Sequence, residues 1–140
     1  MSLTIGQVAD KSGCTPPTIR YYESIGLLAL PARSEAGRRS YGPADVARLA
    51  FIRRSREFGL GIPQVRDLLA AAEAPASACA TARPVVEDHI RALGPKRAEL
   101  KALEAALGAI LSRCDEGCQT GNADVCAIFC DFNLPGPGKI

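Results

Sequence analysis

The sequence predicts a mainly α-helical protein, with a small domain in front, one long helix, and a cysteine-rich loop behind it. Three observations carry this prediction. Two short helical patterns with capping residues open the chain, and apolar residues recur every seven positions between residues 84 and 112. Four of the six cysteines follow within residues 114–130. With 140 residues, the chain can enclose one thin core or two small ones.

The charges are unevenly distributed along the chain. Residues 1–62 carry nine Lys or Arg against five acidic residues, whereas residues 63–140 carry eight against ten. A basic front half is compatible with nucleic-acid binding there. The sequence shows neither a secretory leader pattern nor an apolar run of the roughly 20 residues that a membrane span needs. We therefore expect a cytoplasmic protein with no membrane partner and with reduced thiols.

A helix-turn-helix is predicted at the start of the chain. Thr4 and Gln7 have the spacing of a capping box, and Gly13 suits the left-handed end of a helix. A second helix is expected over residues 16–24, with proline in its first turn. Two short helices joined by a tight, glycine-containing turn form this motif.

The second helix carries side chains that suit DNA. Arg20 could pair with guanine or with phosphate, and the hydroxyls of Tyr21 and Tyr22 are of a kind that bonds phosphate. An ordinary helical hairpin with a solvated arginine and core tyrosines fits the local pattern equally well.

A β-hairpin with a basic tip is predicted next. Residues 31–37 form a turn-rich connection after a short apolar run, and residues 38–41 have the pattern of the returning strand. Its basic residues include Arg33, Arg38 and Arg39. A hairpin of this kind has the shape of a wing beside a helix-turn-helix.

Two further helices are expected to begin near Pro43 and Pro63. An Ala/Pro/Ser-rich stretch over residues 70–78 is expected to be a linker. The apolar residues that we expect these two helices to turn inward are Val46, Leu49, Phe51, Ile52, Val65, Leu68 and Leu69.

Four spaced motifs resemble the signature of the MerR family of transcriptional regulators. They are IGQVA at residues 5–9, TIRYYESIGLL at 18–28, RSY at 39–41 and LAFI at 49–52. The similarity extends over residues 3–72. It implies a winged helix-turn-helix DNA-binding domain, followed by a long helix that forms an antiparallel coiled-coil homodimer, and a C-terminal metal-binding loop.

The resemblance also implies which residues contact promoter DNA. It assigns Arg20 and Tyr22 on the second helix, and Arg39 and Tyr41 in the wing, with Arg38 beside them. The resemblance further implies that the protein binds a two-fold symmetric operator as a homodimer. It implies activation of transcription by distortion of the DNA between the promoter elements, so that RNA polymerase can engage both.

The long helical pattern carries a coiled-coil-like seam. The residues that recur every seven positions are Val86, Leu93, Leu100 and Leu107. Pro95 interrupts the pattern, because a proline inside a helix removes a backbone hydrogen bond. The chain is expected either to kink there or to turn back as a two-helix hairpin. The unbroken seven-residue phase favours the kinked, continuous helix.

Two cysteines flank the long helical pattern. Cys79 is expected just before the helix and Cys114 just after it, 35 residues further on. A continuous helix of that length spans about 50 Å, whereas two thiolates on one metal ion lie about 4 Å apart. An antiparallel pair of helices would bring Cys79 of one subunit beside Cys114 of the other. A hairpin would instead form the site within one chain.

The metal-sensing branch of the family resembles this arrangement and implies three ligands, Cys79, Cys114 and Cys126. Relatives that sense monovalent copper carry serine at the position of Cys79, so a cysteine there is similar to the divalent branch. One Hg, Pb, Cd or Zn ion is expected per site, and thiolate softness agrees with that set. Three thiolates suit a trigonal Hg or Pb site, and Cys118 would complete a tetrahedral site for Cd or Zn.

Packing roles are expected for Cys14 and Cys130, and a surface or interface role is expected for His89. Two other functions stay open: a redox-sensing branch of the family carries closely spaced cysteines for an iron–sulfur cluster, and a metal-buffering protein would have no DNA function. No Ser/His/Asp set, glycine-rich phosphate loop or paired-carboxylate motif occurs in the sequence, so we expect no enzymatic activity.

The predicted organisation has four parts. They are a winged helix-turn-helix domain (residues 1–74), a linker and dimerisation helix (75–112), a metal-binding loop with a short helix (113–132), and a disordered tail (133–140).

Overall fold

A computed structural model describes residues 2–118 together with residues 128 and 132. The described chain is mostly helical, which confirms the predicted fold class. Its helices are α1 (Ile5–Ser12), α2 (Pro16–Ser24), α3 (Pro43–Glu57), α4 (Ile62–Ala72) and α5 (Ala78–Cys118). Its strands are β1 (Ala32–Arg33) and β2 (Arg39–Ser40).

Local capping sets the ends of α1 and the start of α2. The Thr4 hydroxyl accepts a hydrogen bond from the Gln7 amide (3.3 Å), and the Gln7 side chain accepts one from the Thr4 amide (2.9 Å). Gly13 ends α1 with a φ of 72°, a left-handed conformation that favours glycine. The Thr15 hydroxyl accepts from the amide of Thr18 at the start of α2 (3.4 Å). The predicted helix-turn-helix is therefore confirmed.

The wing is a short antiparallel hairpin in which Arg33 of β1 lies opposite Arg39 of β2. Tyr41, directly after β2, is joined to Leu3 by two backbone hydrogen bonds of 2.8 and 3.0 Å. This bridge attaches the base of the wing to the residues that precede α1.

One side of each helix of the winged helix-turn-helix packs into its core. From α3 the core takes Leu49 and Ile52, which are fully buried. Phe51 was predicted to face inward with them, and that prediction is wrong, because Phe51 is 41% exposed. Each residue turns a helix by about 100°, so Phe51 lies on the opposite side of α3 from Leu49. The largest fully buried apolar residues are Val8, Ile19, Leu27, Leu28, Tyr41, Leu49, Ile52 and Val65.

The long helix begins earlier and ends later than predicted. α5 starts at Ala78, at an alanine-rich stretch that favours helix formation, and it ends at Cys118. The linker is therefore shorter than residues 70–78, since α4 also extends into it. The helix runs through Pro95, so the hairpin alternative is wrong.

The chain divides into two compact units, residues 1–89 and residues 90–140. The first unit holds the winged helix-turn-helix and the beginning of α5, and the second holds the rest of that helix. In the described ranges, no helix combines the length and the hydropathy that a membrane span requires. The predicted tail (133–140) lies outside the described residues, as does all of 119–132 except residues 128 and 132.

Candidate DNA-binding and metal-binding sites

Three arginines from two elements share one surface recess of about 300 Å³. Its lining residues are Thr4, Ile5, Arg20, Arg38 and Arg39, and we call it the guanidinium recess. Arg20 comes from α2, Arg38 and Arg39 come from the wing, and Thr4 and Ile5 form the start of α1. The partial positive charge of a helix N-terminus adds to the three cations. The recess is therefore suited to an anion.

Helix α2 is anchored by buried residues and presents polar ones at the surface. Ile19 and Tyr22 are buried, whereas Arg20 and Tyr21 are exposed. Burial is the main cause that raises the pKa of Tyr22. Tyr21 is 52% exposed and adjoins Arg20, so it is the better placed of the two tyrosines to reach a phosphate. The sequence pattern does not distinguish the exposed Tyr21 from the buried Tyr22.

The wing tyrosine, Tyr41, is also in the core, with only 2% of its surface exposed. Its hydroxyl donates a hydrogen bond to Oε1 of Glu23 at 2.5 Å. Burial, and then the hydrogen bond to Glu23, raise the pKa of Tyr41. The structure places Tyr22 in the core, as the alternative interpretation of the second helix expects, but it leaves Tyr21 exposed. Tyr41, for which no core role was predicted, is buried as well, while Arg20, Arg38 and Arg39 lie at the surface.

Glu23 is an acidic residue beside the basic site, and it is not among the site residues predicted from the sequence. It lies three residues after Arg20 and therefore on the same side of α2. Its Oε2 lies 3.5 Å from Nε of Arg39. The available signal was that Glu23 is the one acidic residue of the motif at residues 18–28.

The cysteines lie on or beyond α5. Cys79 is exposed in the first turn of the helix, and Cys114 is half-buried near its other end. The expectation that they flank the helix is wrong, because α5 is longer than predicted. Cys118 is the last residue of α5, and Cys126 and Cys130 lie outside the described residues. Within the described part of one chain, no three His, Cys, Asp or Glu side chains are grouped to hold a metal ion.

Two family models match the chain. One, described as MerR HTH family regulatory protein, matches residues 3–72, and the other, described as MerR, DNA binding, matches residues 46–110. The chain belongs to the MerR family. The matches cover α1 to α4 and most of α5.

Individual relatives extend the match over most of the chain. An uncharacterized HTH-type transcriptional regulator of Pseudomonas aeruginosa is 40% identical over 93% of this chain and 96% of its own length. The structure of PbrR691 from Ralstonia metallidurans CH34 in complex with lead(II) has a TM-score of 0.69 and 38% identity, and the match covers 80% of this chain and 87% of that one. MerR of Bacillus megaterium MB1 in complex with mercury(II) has a TM-score of 0.67 and 29% identity, with 94% and 99% covered.

These MerR-family matches confirm the predicted metal-sensing branch. The relatives are DNA-binding transcription regulators and not enzymes.

Proposed function

We propose that this MerR-family protein is a homodimeric transcription regulator that binds promoter DNA through the guanidinium recess. It responds to a soft divalent metal ion held by cysteines from both subunits. The observation that carries the proposal is the convergence of Arg20, Arg38 and Arg39 on one recess at the start of α1.

The recess matches the chemistry of a DNA phosphate. Guanidinium groups bind phosphate oxygens with two parallel hydrogen bonds, and the N-terminus of a helix favours an anion. Arg20 would contact the DNA from α2, in or beside the major groove. Arg38 and Arg39 would contact the DNA backbone from the wing. Tyr22 and Tyr41 would act from the core by holding α2 and the wing in place.

An exposed apolar stripe on α5 supports a homodimer. Val86, Leu93, Leu100 and Leu107 are each between 44% and 61% exposed in the single chain. Apolar surface of this extent on one helix marks an interaction face, and its seven-residue period is that of a coiled coil. We propose that the partner is the antiparallel α5 of a second subunit.

Cys79 and Cys114 extend this stripe by one step at each end. The series with a spacing of seven is Cys79, Val86, Leu93, Leu100, Leu107 and Cys114. It is symmetric about its centre, so an antiparallel pair that sets Leu93 against the partner's Leu100 also sets Cys79 against the partner's Cys114. This register supports a metal site at each end of the dimer.

The proposed ligands are Cys79 of one subunit with Cys114 and Cys126 of the other. Three thiolates suit lead or mercury, and a fourth from Cys118 would suit cadmium or zinc. The lead and mercury complexes of the two structural relatives support this set of ions. The unbroken α5 favours a site between subunits over a site within one chain.

A bound ion would link thiolates of both subunits and so favour one arrangement of the dimer over another. Each winged helix-turn-helix would bind one half-site of the operator. A change in the arrangement of the two subunits would therefore bend or twist the DNA between the half-sites. Such a deformation costs a few kcal/mol, and it would realign the promoter for RNA polymerase.

Subunit complementation tests the site between subunits. Wild-type protein should take up two lead(II) ions per dimer in equilibrium dialysis, whereas Cys79→Ser and Cys114→Ser homodimers should take up none. When the two variants are unfolded together and refolded, half of the dimers are mixed, and each mixed dimer regains one intact site. Uptake should therefore return to about a quarter of the wild-type value.

The control is Cys14→Ser, because Cys14 is a half-buried thiol at the edge of the helix-turn-helix core. It should leave uptake unchanged. If mixing restores no uptake while wild-type protein binds lead, the site lies within one chain. Visible iron–sulfur absorption after anaerobic purification would replace metal sensing with redox sensing, and failure to shift promoter DNA would leave only a metal-buffering role.

A further inference from the structure

Glu23 is a buried carboxylate between the DNA-binding helix and the wing. Only 2% of its side chain is exposed, although it belongs to α2, the helix that presents Arg20. Charged side chains are rarely buried unless they are paired. A buried Glu23 carboxylate therefore needs partners among the residues around it.

Both carboxylate oxygens of Glu23 point to wing residues. Oε1 accepts the hydrogen bond of the Tyr41 hydroxyl. Oε2 lies 3.5 Å from Nε of Arg39 and accepts no hydrogen bond from any of the described residues. Glu23 thus joins α2 to the last strand of the wing, and Tyr41 fixes the direction of the carboxylate.

We propose that Glu23 is a positioning residue for DNA binding, which holds Arg39 by its Nε so that the outer guanidinium nitrogens face a phosphate in the guanidinium recess. This inference rests on the DNA-binding role proposed above for Arg39.

The short wing explains why such a residue is needed. β1 and β2 pair over only two residues each, so the wing itself offers little to hold the Arg39 side chain in one orientation. The Arg39 side chain is 39% exposed, which leaves it accessible to DNA while its Nε faces Glu23. An arginine that is oriented before binding loses less side-chain freedom when it meets the phosphate.

The same carboxylate could instead be a simple counter-charge for three neighbouring arginines. In that role DNA phosphate would replace it, and loss of Glu23 would strengthen DNA binding. The two roles predict opposite signs, so they can be separated by measurement.

The experiment measures the affinity for a labelled DNA duplex of arbitrary sequence by fluorescence anisotropy over a range of salt concentrations. Arg39→Ala should weaken binding about tenfold. It should also make the slope of log K against log salt shallower by about 0.9 for each phosphate contact of Arg39 that is lost. Glu23→Gln should reproduce most of both effects. The double variant should bind no more weakly than Arg39→Ala alone, since Glu23 acts through Arg39.

Glu23→Asp separates position from charge. It keeps the negative charge and withdraws the carboxylate by one methylene, so positioning predicts weaker binding, whereas a counter-charge predicts no loss. Glu73→Gln is the matched control, because it removes a carboxylate that pairs with Arg48 (3.4 Å) outside the recess. It should leave the affinity and the salt slope unchanged. Thermal unfolding of each variant verifies that it is folded.

Two results would overturn the inference, and they distinguish a wrong role for Arg39 from a wrong role for Glu23. If Arg39→Ala itself leaves DNA binding unchanged, the proposed role of Arg39 is wrong and the inference falls with it. If Arg39→Ala weakens binding but Glu23→Gln and Glu23→Asp do not, or if Glu23→Gln weakens the Arg39→Ala variant further, the DNA site stands and Glu23 does not position it.

Discussion

Nε2 of His89 on α5 lies 2.8 Å from the carbonyl oxygen of Phe58, the residue that follows the last turn of α3. Since a carbonyl oxygen can only accept, Nε2 carries the proton in this contact. His89 therefore attaches the start of the long helix to the DNA-binding domain, within the first compact unit of the chain.

Removing this attachment should loosen the first unit. We expect His89→Ala to lower the free energy of unfolding by about 1 kcal/mol, because Phe58 loses a hydrogen-bond donor. Urea denaturation followed by circular dichroism measures the change. Glu87→Ala is the control, since it breaks only an exposed ion pair with Arg83 and should cost less than about 0.5 kcal/mol. Equal stability of the two variants would show that the contact contributes nothing in solution.

The DNA-binding role proposed for α2 is tested by Arg20→Ala. We expect about a tenfold loss of affinity for promoter DNA, because each subunit loses one base or phosphate contact. A loss of the same size on DNA of arbitrary sequence indicates a phosphate contact, and a smaller loss there indicates a base contact. Arg83→Ala removes the same charge from an exposed site on α5 and should have no effect. If both variants lose equal affinity, only net charge matters.

The proposed homodimer depends on the apolar stripe of α5. Leu100 is 61% exposed in the single chain and lies near the centre of the seven-residue series. Leu100→Asp should raise the dimer dissociation constant by about 100-fold or more, because it buries an unpaired carboxylate in the interface. Sedimentation velocity at several protein concentrations measures it. Lys101→Asp introduces the same residue one position away and should leave the dimer intact; a dimer that survives Leu100→Asp would place the interface elsewhere.

Tyr41 should make the stability of the protein sensitive to alkaline pH. Its pKa lies above the ordinary value of 10.0, mainly because it is buried and donates to Glu23. The folded protein then keeps a proton that the unfolded chain releases, so this contribution is complete below pH 10 and falls as pH rises above it. Urea unfolding from about pH 8 to about pH 11, a range that includes the ordinary tyrosine pKa of about 10, should show a steeper loss of stability in the wild type than in Tyr41→Phe.

The same variant has an effect at neutral pH. Tyr41→Phe should lower the free energy of unfolding by about 2 kcal/mol, because Glu23 loses a hydrogen bond to a charged acceptor. The remaining alkaline slope belongs in part to Tyr22, whose pKa is also raised by burial. If the two proteins lose stability in parallel from pH 8 to 11, Tyr41 does not titrate upon unfolding in that range.

Local signals made much of the fold predictable. Thr4, Gln7 and Gly13 fix the ends of α1 through contacts within a few residues, and these contacts depend on side-chain type and spacing alone. The error at Phe51 came from treating every apolar residue of α3 as inward-facing. The apolar pattern predicts the long helix over residues 84–112, whereas α5 already includes Ala78.

The candidate site was predictable only in part, because its contacts are distant in sequence. The resemblance to the MerR family implied the surface arginines, but the hydrogen bond between Tyr41 and Glu23 joins residues 18 positions apart and exists only when the wing folds back on α2. Without that contact, the burial of Tyr41 has no signal in the sequence. Cys126 remains a prediction, since it lies outside the described residues.

In the proposed homodimer, the length of α5 would give its winding a role in the response to metal. A straight α-helix drifts by about 20° for every seven residues, so over the five repeats from Cys79 to Cys114 the two thiols would point about 100° apart. Left-handed supercoiling around a partner removes that drift. The alignment of the thiols then depends on how tightly the two helices are wound, and a metal ion that requires both thiols would act on the pitch of the dimer.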